Sequence, residues 1–491
     1  MSDLNISIHK NLIFGINHCR IVTKNNYLLL LGLLAVSGQV FAESSIWYKD
    51  NDPLETKVFS LPKLPDGYRE PNSPCADIDL SKPLNLADVA DASLCNNPQT
   101  REVWASARVQ AAQLGVAKSA YLPSLNNNVS GNLGVASPES DTRSNPTVNL
   151  SNSLAANYLL YDFGNRAANL ENARQLLVSA SASQSSTVQN ILLQATVAFY
   201  QVQANIAALD AAIEAERASQ ESFKAADARY KAGVSTPADK LQAQTAYAQL
   251  TLTRITSEGS LQNAYGNLAN VMGLPANQKL SIVVGSSNAP ATILEDVNGL
   301  VEQASLRRPD LMASEAQVKA AIANIDASKA AAKPTISVSM SNNLQDGSQS
   351  STSNNSTLGL TLSIPIFNGF APTYRVRAAE ATADLRAAQR DRLRLQISLD
   401  VWSAYQSLRT ANESVTATQV LVSSAEESYR VALGRYKAGV GNIIDTLNAQ
   451  SALASARQQK IQAGLNSNIT RATLAQAMGA LDNAMIQSLP N

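Results

Sequence analysis

The sequence has 491 residues, of which 5 % are aromatic, and its 39 basic and 39 acidic residues give a formal net charge of zero. A chain of this length that folded into several compact domains would normally use more large apolar side chains. A balanced charge provides no attraction to nucleic acid. The composition therefore argues against a nucleic-acid-binding protein and favours long helices that pack through small residues.

The N-terminus has the features of a secretory signal. Basic residues precede an apolar run at 28–36, and Ala42 ends a small-x-small motif. We predict that residues 1–42 are a cleaved signal peptide. The alternative is a membrane anchor, but a helix needs about 20 apolar residues to cross a bilayer. No later stretch approaches that length, so a membrane-spanning part would have to consist of strands.

The following segment, residues 43–97, is rich in Pro and Asp and is predicted to be an extended periplasmic arm with one short helix near 86–94. It contains Cys75 and Cys95. Export would place both in an oxidising compartment, which favours a disulfide between them. Two free thiols in a loosely ordered arm are the alternative.

The two histidines of the sequence, His9 and His18, both lie in the predicted signal peptide. A mature chain without histidine cannot use His-dependent nucleophilic catalysis or a His-based metal site. We therefore predict that the protein is not an enzyme and binds no cofactor or metal.

Two similar halves follow the arm. We assign residues 98–275 to a first structural repeat, 276–308 to an equatorial linker, 309–480 to a second repeat and 481–491 to a C-terminal tail. The clearest evidence is the block Arg-Tyr-Lys-Ala-Gly-Val, which occurs at 229–234 and again, letter for letter, at 435–440. Duplication of a whole unit is typical of an internally repeated architecture.

Each half is predicted to contain a helix, two strands and a long helical hairpin. The first helices cover about 99–120 and 310–332, and the long helices cover 165–232 and 373–433 without Gly or Pro. At about 1.5 Å per residue, each long helix would extend roughly 90–100 Å. Apolar residues between Val188 and Ile213 recur at alternating spacings of four and three, which is the pattern of coiled-coil packing.

The four predicted strands alternate apolar and small polar residues, as Leu358, Leu360 and Leu362 illustrate. Such alternation is typical of strands in an outer-membrane barrel, and the alternative is a soluble sheet with one wet face. Four strands cannot close a barrel, and eight would enclose an interior filled by side chains. A duct therefore needs three copies. The Ser/Asn-rich segments 137–146 and 345–357 are predicted to be exposed loops.

The repeated block is predicted to form a helix–turn–helix tip in each half. In the first half, Gly233 follows the end of a helix and Thr236 is the N-cap of the next one. Gly439 and Asn442 take the corresponding places in the second half. Both tips are expected at the end of the hairpin that is far from the strands.

Two interpretations are open for the tip carboxylates, Asp239 and Asp445. Each falls at the third position of its helix, where a carboxylate stabilises the helix start. In a trimer, one inward carboxylate per copy would form a ring of three charges that constricts a pore and selects cations. The two interpretations are compatible, because a residue at the third helix position can also face a lumen. Asn448, one turn after Asp445, would add a neutral ring.

The order of the motifs resembles the TolC family of outer membrane efflux proteins, from about residue 84 to residue 481. The motifs are the opening Asn97-Pro98, Tyr121-Leu122-Pro123 before the first strand, Tyr161-Asp162-Phe163-Gly164 after the second, and the two Tyr-Lys-Ala-Gly-Val turns. The resemblance implies an α+β membrane protein: a homotrimer with a twelve-stranded transmembrane β-barrel, four strands per protomer, continued by a long periplasmic α-helical coiled-coil barrel.

The resemblance also implies roles for tip residues. Residues implied to form a periplasmic gate are Asp445, Asn448, Asp239, Tyr436 and Gly441. Residues implied to contact an adaptor protein are Arg229, Tyr230, Gly233, Val234, Arg435, Gly439 and Val440. Some family members have an arginine at the position of Gly441 and a second carboxylate at the position of Asn448, so the implied gate has fewer charges here.

The implied function is passive export through the outer membrane. In this interpretation an inner-membrane transporter supplies energy, a periplasmic adaptor binds the tips, and outer-membrane lipid surrounds the barrel. The N-terminal stretch, with Arg101 and Trp104, is most similar to members of type I protein secretion, which work with an ABC exporter. The alternatives are multidrug efflux with a resistance–nodulation–division pump and, from another class, a trimeric coiled-coil surface stalk or adhesin.

Overall fold

The computed structural model describes residue 54 and residues 80–134, 147–285, 296–348 and 350–482. The predicted signal peptide, most of the predicted arm and Cys75 lie outside these residues. Cys95 lies near the end of the first described helix and is disulfide-bonded. Because Cys75 is not among the described residues, its pairing with Cys95 stays a prediction.

The described part of the chain consists of long helices and one sheet. In chain order the elements are α1 (Leu86–Asn96), α2 (Pro98–Ser119), β1 (Ser124–Gly134), β2 (Thr147–Tyr161), α3 (Asn165–Lys231), α4 (Pro237–Val271), α5 (Val297–Arg307), α6 (Pro309–Ala330), β3 (Thr335–Gly347), β4 (Ser350–Ser363), α7 (Ala371–Lys437) and α8 (Ile443–Ala477). No helix among the described residues contains a stretch long and apolar enough to cross a membrane.

The two hairpins have the same dimensions. Helices α3 and α7 each have 67 residues, and α4 and α8 each have 35. Helix α7 continues beyond the Gly- and Pro-free stretch that ends at 433, through Gly434 to Lys437, so the helix ends before Gly439 as predicted. One interior glycine costs only about 1 kcal/mol in a helix, which a helix packed along its length tolerates. The helix ends before Gly439, which has a left-handed φ of +80°.

In each repeat, the residue just before the first helix is bonded to the end of the hairpin of the same repeat, but the two side chains differ. Asn97 caps α2 and donates from its amide to the Val271 carbonyl at the end of α4, at 3.1 Å. Arg308, which precedes α6, donates instead to the Ala477 carbonyl at the end of α8, at 3.5 Å, and pairs with Asp400 at 3.0 Å. The duplication thus conserves the place of the link within the chain but not its side chain.

The strands form one antiparallel sheet in the order β1-β2-β3-β4. Opposite residues in the register share a face, so Met340 lies between Ala156 and Leu358, while Ser339 lies between Asn157 and Gly359. The sheet consequently has one largely apolar face and one polar face. The predicted period-two pattern is present, and apolar side chains such as Leu358 are 75 % exposed in the single chain.

The predicted loop at 345–357 is wrong. Strand β3 continues to Gly347 and β4 begins at Ser350, so these residues pair across a tight hairpin. The side chains stabilise the pairing, since the Asn342 amide donates to Asn354 Oδ1 and to Ser356 Oγ, both at 2.8 Å. Small polar residues here supply cross-strand hydrogen bonds rather than a loop. The other predicted loop, at 137–146, lies outside the described residues.

The sheet joins the long helices through corners with left-handed backbone. Phe163 and Gly164 have φ of 54° and 92°, and Gly369 and Phe370 have φ of 61° and 60°. Structural equivalence therefore pairs Phe163 with Gly369 and Gly164 with Phe370. A left-handed phenylalanine is strained, and in this chain the two corners place the phenylalanine and the glycine in opposite order.

The packing order leaves two edges of the described chain without a neighbour. Next to the sheet, α2 packs on α3, α3 on α6 and α6 on α7, so α2 and α7 are the outer helices. Both outer helices expose apolar side chains. Val116 is 63 % exposed, and Leu399 and Trp402, which lie beside α5, are 57 % and 51 % exposed. Strands β1 and β4 are likewise the edges of the sheet. We expect these edges to be covered by further copies of the chain.

A charge placed on the α7 edge should therefore prevent assembly. We expect Trp402→Glu to leave the protein monomeric, because an unpaired carboxylate in an apolar interface costs several kcal/mol. Glu413→Gln changes another α7 side chain, which is 69 % exposed in its pair with Arg409, and should leave the trimer intact. Light scattering of the detergent-solubilised proteins measures the result, and a trimeric Trp402→Glu protein would contradict the assignment of this edge.

Candidate functional site: two unlike helical tips

Both hairpins end in the same backbone turn. After α3, Gly233 has φ of +73°, and the Val234 amide donates to the Arg229 carbonyl at 3.0 Å. After α7, Gly439 takes the same conformation and the Val440 amide donates to the Arg435 carbonyl, also at 3.0 Å. This is a Schellman turn, in which a left-handed residue lets the last carbonyls of a helix find donors. The identical sequence blocks therefore build identical turns.

The helices that leave the two turns are capped differently. The Asp239 amide donates to Thr236 Oγ1 at 3.2 Å, and the Thr236 amide donates to Asp239 Oδ2 at 3.0 Å. This reciprocal pair is a capping box. At the second tip, Asn442 Oδ1 accepts from the Ile444 amide at 3.1 Å. The predicted N-caps, Thr236 and Asn442, are therefore confirmed.

Because the caps differ, the two tip carboxylates differ in their hydrogen bonding. Asp239 is engaged by its own helix start, whereas Asp445 is exposed and its carboxylate has no hydrogen bond or ion pair within the described residues. Asn448, one turn further along α8, is also exposed. Asp445 and Asn448 are thus available to line an entrance, while Asp239 already has a structural task.

The two tip tyrosines also differ. Tyr230 is 39 % exposed, whereas its counterpart Tyr436 is only 6 % exposed and packs against Ala226, Ala243 and Ile443, residues from both hairpins. Burial raises the pKa of the Tyr436 phenol above its ordinary value, nearby Arg229 lowers it and Asp239 raises it further. The Tyr436 hydroxyl has no hydrogen-bond partner among the described residues.

Arg229 connects the two tips of the protomer. Its guanidinium carbon lies 4.9 Å from the centre of the Tyr436 ring, and its Nη1 donates to the Tyr436 carbonyl at 3.0 Å. The sequence suggested only an adaptor contact for this residue. The counterpart, Arg435, is exposed and has no such partner among the described residues. The identical blocks gave no signal of this asymmetry, because it depends on which hairpin faces which.

Gly441 lies very close to the backbone of the preceding helix end. A Cβ atom there would lie 2.8 Å from the Tyr436 amide nitrogen and 2.9 Å from the Arg435 carbonyl carbon. Real Cβ atoms do not approach backbone so closely, so any side chain would displace the turn. The structurally equivalent residue of the first tip is Ser235, where a side chain is accommodated.

A matched pair of substitutions tests this close approach. Gly441→Ala should destabilise the second tip by about 1–3 kcal/mol, the usual cost of overpacking, while Ser235→Ala should change the first tip by less than about 0.5 kcal/mol. Hydrogen exchange of the backbone amides in each turn reports local opening. Equal protection of the turn amides in wild type and Gly441→Ala would contradict the steric argument.

An ion-pair cluster distinguishes the first tip further. Asp227 pairs with Lys231 at 2.7 Å and with Lys240 at 2.8 Å, and these hydrogen bonds lower the pKa of the Asp227 carboxyl. The equivalent residue of the second tip is Leu433, which cannot hold a cation. Sequence reasoning missed this cluster, although the spacing of Asp227 and Lys231 by four residues was a usable signal.

Further links between the hairpins run along the helices above the tips. Arg457 of α8 pairs with Glu214 of α3 at 2.8 Å and with Glu426 of α7 at 3.1 Å. Gln450 of α8 donates to the Ala215 carbonyl at 3.2 Å.

At the outermost ends, Val234 and Val440 are 63 % and 72 % exposed. Each tip therefore ends in an exposed apolar side chain. Among the described residues, no cluster of three or more metal-binding side chains occurs.

Comparison with known proteins shows which family has this architecture. The family model described as "Outer membrane efflux protein" matches residues 89–274 and 300–480. Protein CyaE of Bordetella pertussis is 29 % identical over 83 % of this chain and 86 % of its own length. Outer membrane protein TolC of Escherichia coli K12 is 22 % identical over 84 % of this chain and 85 % of its own length.

Among solved structures, CusC has a TM-score of 0.73 at 22 % identity and covers 80 % of this chain and 92 % of its own. These similarities confirm the predicted fold class, a trimer with a twelve-stranded outer-membrane barrel and a helical barrel below it. The relatives are channel proteins rather than enzymes. The chain therefore belongs to the outer membrane efflux protein family, the TolC family, and is a protomer of an outer-membrane exit duct that extends into the periplasm.

Proposed function

We propose that this chain is the exit duct of a type I protein secretion system and passes cargo from an inner-membrane ABC exporter to the outside without catalysing a reaction. The similarity of the N-terminal stretch, with Arg101 and Trp104, to type I members favours protein cargo. The observation that supports a duct is the continuity of the fold. A sheet with one apolar and one polar face leads, through the corners at Gly164 and Phe370, into helices about 100 Å long. A trimeric surface stalk would not require a sheet with a polar inner face.

A periplasmic adaptor is the proposed partner at the tips. The exposed valines, Val234 and Val440, together with the turn glycines give each protomer two small apolar docking points. Such points suit a partner whose own helical tips bring apolar side chains. Because Asp227 and Lys240 correspond to Leu433 and Thr446 at the second tip, the two docking points differ in the arrangement of their charges.

The proposed gate lies at the second tip. Asp445, exposed and without a partner among the described residues, would face the entrance once per copy, with Asn448 behind it. Three carboxylates in one ring attract cations and narrow the entrance. Arg229 and Tyr436 would hold the paired hairpins together in the closed state, in place of a link from position 441.

Two assays test the export function. Deleting the gene should abolish secretion of the protein cargo of the partnered ABC exporter while leaving drug susceptibility unchanged. Normal secretion combined with increased drug susceptibility would instead support multidrug efflux with a resistance–nodulation–division pump. In planar bilayers the purified trimer should conduct ions. A trimer that forms no conducting pore, even when the tips are loosened, would leave the surface stalk as the better interpretation.

A further inference from the structure

The polar face of the sheet carries no charge and no aromatic ring. The register assigns to this face Ser124, Asn126, Asn128, Ser130, Asn132, Gly134, Thr147, Asn149, Ser151, Ser153, Ala155, Asn157, Leu159, Thr335, Ser337, Ser339, Ser341, Asn343, Gln345, Gly347, Ser353, Asn355, Thr357, Gly359, Thr361 and Ser363. Apart from Ala155, Leu159 and the three glycines, every one of these residues carries an amide or a hydroxyl side chain.

The single charged residue of the four strands points the other way. Asp346 lies opposite Leu150 and therefore on the apolar face, where Thr352 donates to its carboxylate at 2.8 Å. Even the charge that the sheet contains is thus kept out of the polar face. In the trimer this face lines the barrel interior, because the apolar face must meet lipid.

The composition of this wall limits what it can recognise. Charge selectivity in channels comes from rings of charged side chains, and retention of aromatic or apolar molecules comes from aromatic surfaces. The described wall has neither. Amides and hydroxyls exchange hydrogen bonds with water and with peptide groups at little net free energy. The wall consequently offers many weak contacts and no strong one, as rapid passage requires.

We infer that the barrel wall does not select by charge and is fitted to a hydrated polypeptide chain of either net charge, rather than to an aromatic small molecule. The inference rests on the proposed function, since it names the substrate class of the same duct. It separates two tasks along the channel: the second tip, with Asp445, favours cations at the entrance, and the barrel then passes whatever has entered.

Two adjacent asparagines on β4 provide a matched test. Asn355 lies opposite Asn343 on the polar face, whereas Asn354 lies opposite Leu344 on the apolar face and accepts from Asn342 at 2.8 Å. Asn355→Asp and Asn354→Asp each add one carboxylate per copy with almost no change of shape. Only the first adds a charge to the channel.

The experiment measures block of single-channel current by short unfolded Gly/Ser peptides added from the extracellular side. The peptides carry either lysines or glutamates in equal number. For wild type we expect the dissociation constants of the two peptides to agree within about threefold. Asn355→Asp should favour the lysine peptide by about tenfold or more, and Asn354→Asp should behave as wild type.

Three results would overturn the inference. They are a tenfold charge preference in the wild type, equal behaviour of the two asparagine variants, and much stronger block by a neutral peptide that contains tryptophan. A failure of the proposed function looks different. If secretion persists in the deletion strain but peptide block in the purified channel is independent of charge, the type I assignment fails and the wall assignment stands.

Discussion

Replacing Asp445 with asparagine should weaken the block of the channel by a trivalent lanthanide ion at least about 100-fold. At about 5 Å in water, one carboxylate and a trivalent cation attract each other by about 2–3 kcal/mol. The variant removes three such attractions from the entrance, and screening by salt reduces but does not remove the effect. The measurement is the dissociation constant of the ion from single-channel current, with the ion added on the periplasmic side.

Asp239→Asn is the matched control for this experiment. It removes one carboxylate per copy from the corresponding helix position of the other hairpin, where the side chain is engaged in the capping box with Thr236. Asparagine still accepts the capping hydrogen bond, so the fold should persist and the block should stay close to wild type. If both variants lost block equally, or if neither did, Asp445 would not be the residue that forms the ring.

Replacing Arg229 with alanine should shift the channel strongly towards its open state. The cation–π contact and the hydrogen bond to the Tyr436 carbonyl together contribute about 1.5 kcal/mol per copy to holding the hairpins together. If the three copies open together, the closed state loses about 4–5 kcal/mol. That loss corresponds to about a 1,000-fold change in the closed-to-open equilibrium, measured as open probability in planar bilayers.

Arg435→Ala is the control, because Arg435 occupies the same place in an identical sequence block but has no corresponding partner among the described residues. Its open probability should match wild type. Arg229→Lys should be intermediate, since an ammonium keeps the attraction to the Tyr436 ring and loses the guanidinium geometry. Identical behaviour of Arg229→Ala and Arg435→Ala would show that the contact does not hold the gate.

Local sequence patterns predicted much of the fold because they express local physics. The absence of Gly and Pro from residue 165 onward predicted a helix of the observed length, and the turn glycines and the N-caps Thr236 and Asn442 were identified from residue type and spacing alone. The same local reasoning failed at 345–357, where pairing across a hairpin places small polar residues in strands.

The burial of Tyr436 and the contact that Arg229 makes across the hairpins were the part of the site that the sequence could not supply. The blocks at 229–234 and 435–440 are identical, yet Tyr230 is exposed and Tyr436 is buried, and Arg229 reaches across while Arg435 does not. The two carboxylates, Asp239 and Asp445, share only their place in the sequence, the third residue of a helix. The helix caps make their environments differ. The Thr236 amide donates to the Asp239 carboxylate, whereas Asn442 accepts a hydrogen bond from the Ile444 amide.

The sequence by itself determined the duplicated hairpin, its length and its turns, because helix formation and capping depend on residues within a few positions of one another. The tertiary structure decided which tip tyrosine is buried, which arginine connects the hairpins and which face of the sheet is free of charge. These properties depend on which surfaces pack together. Two identical sequence blocks therefore differ in side-chain burial and contacts when their positions relative to the other hairpin differ.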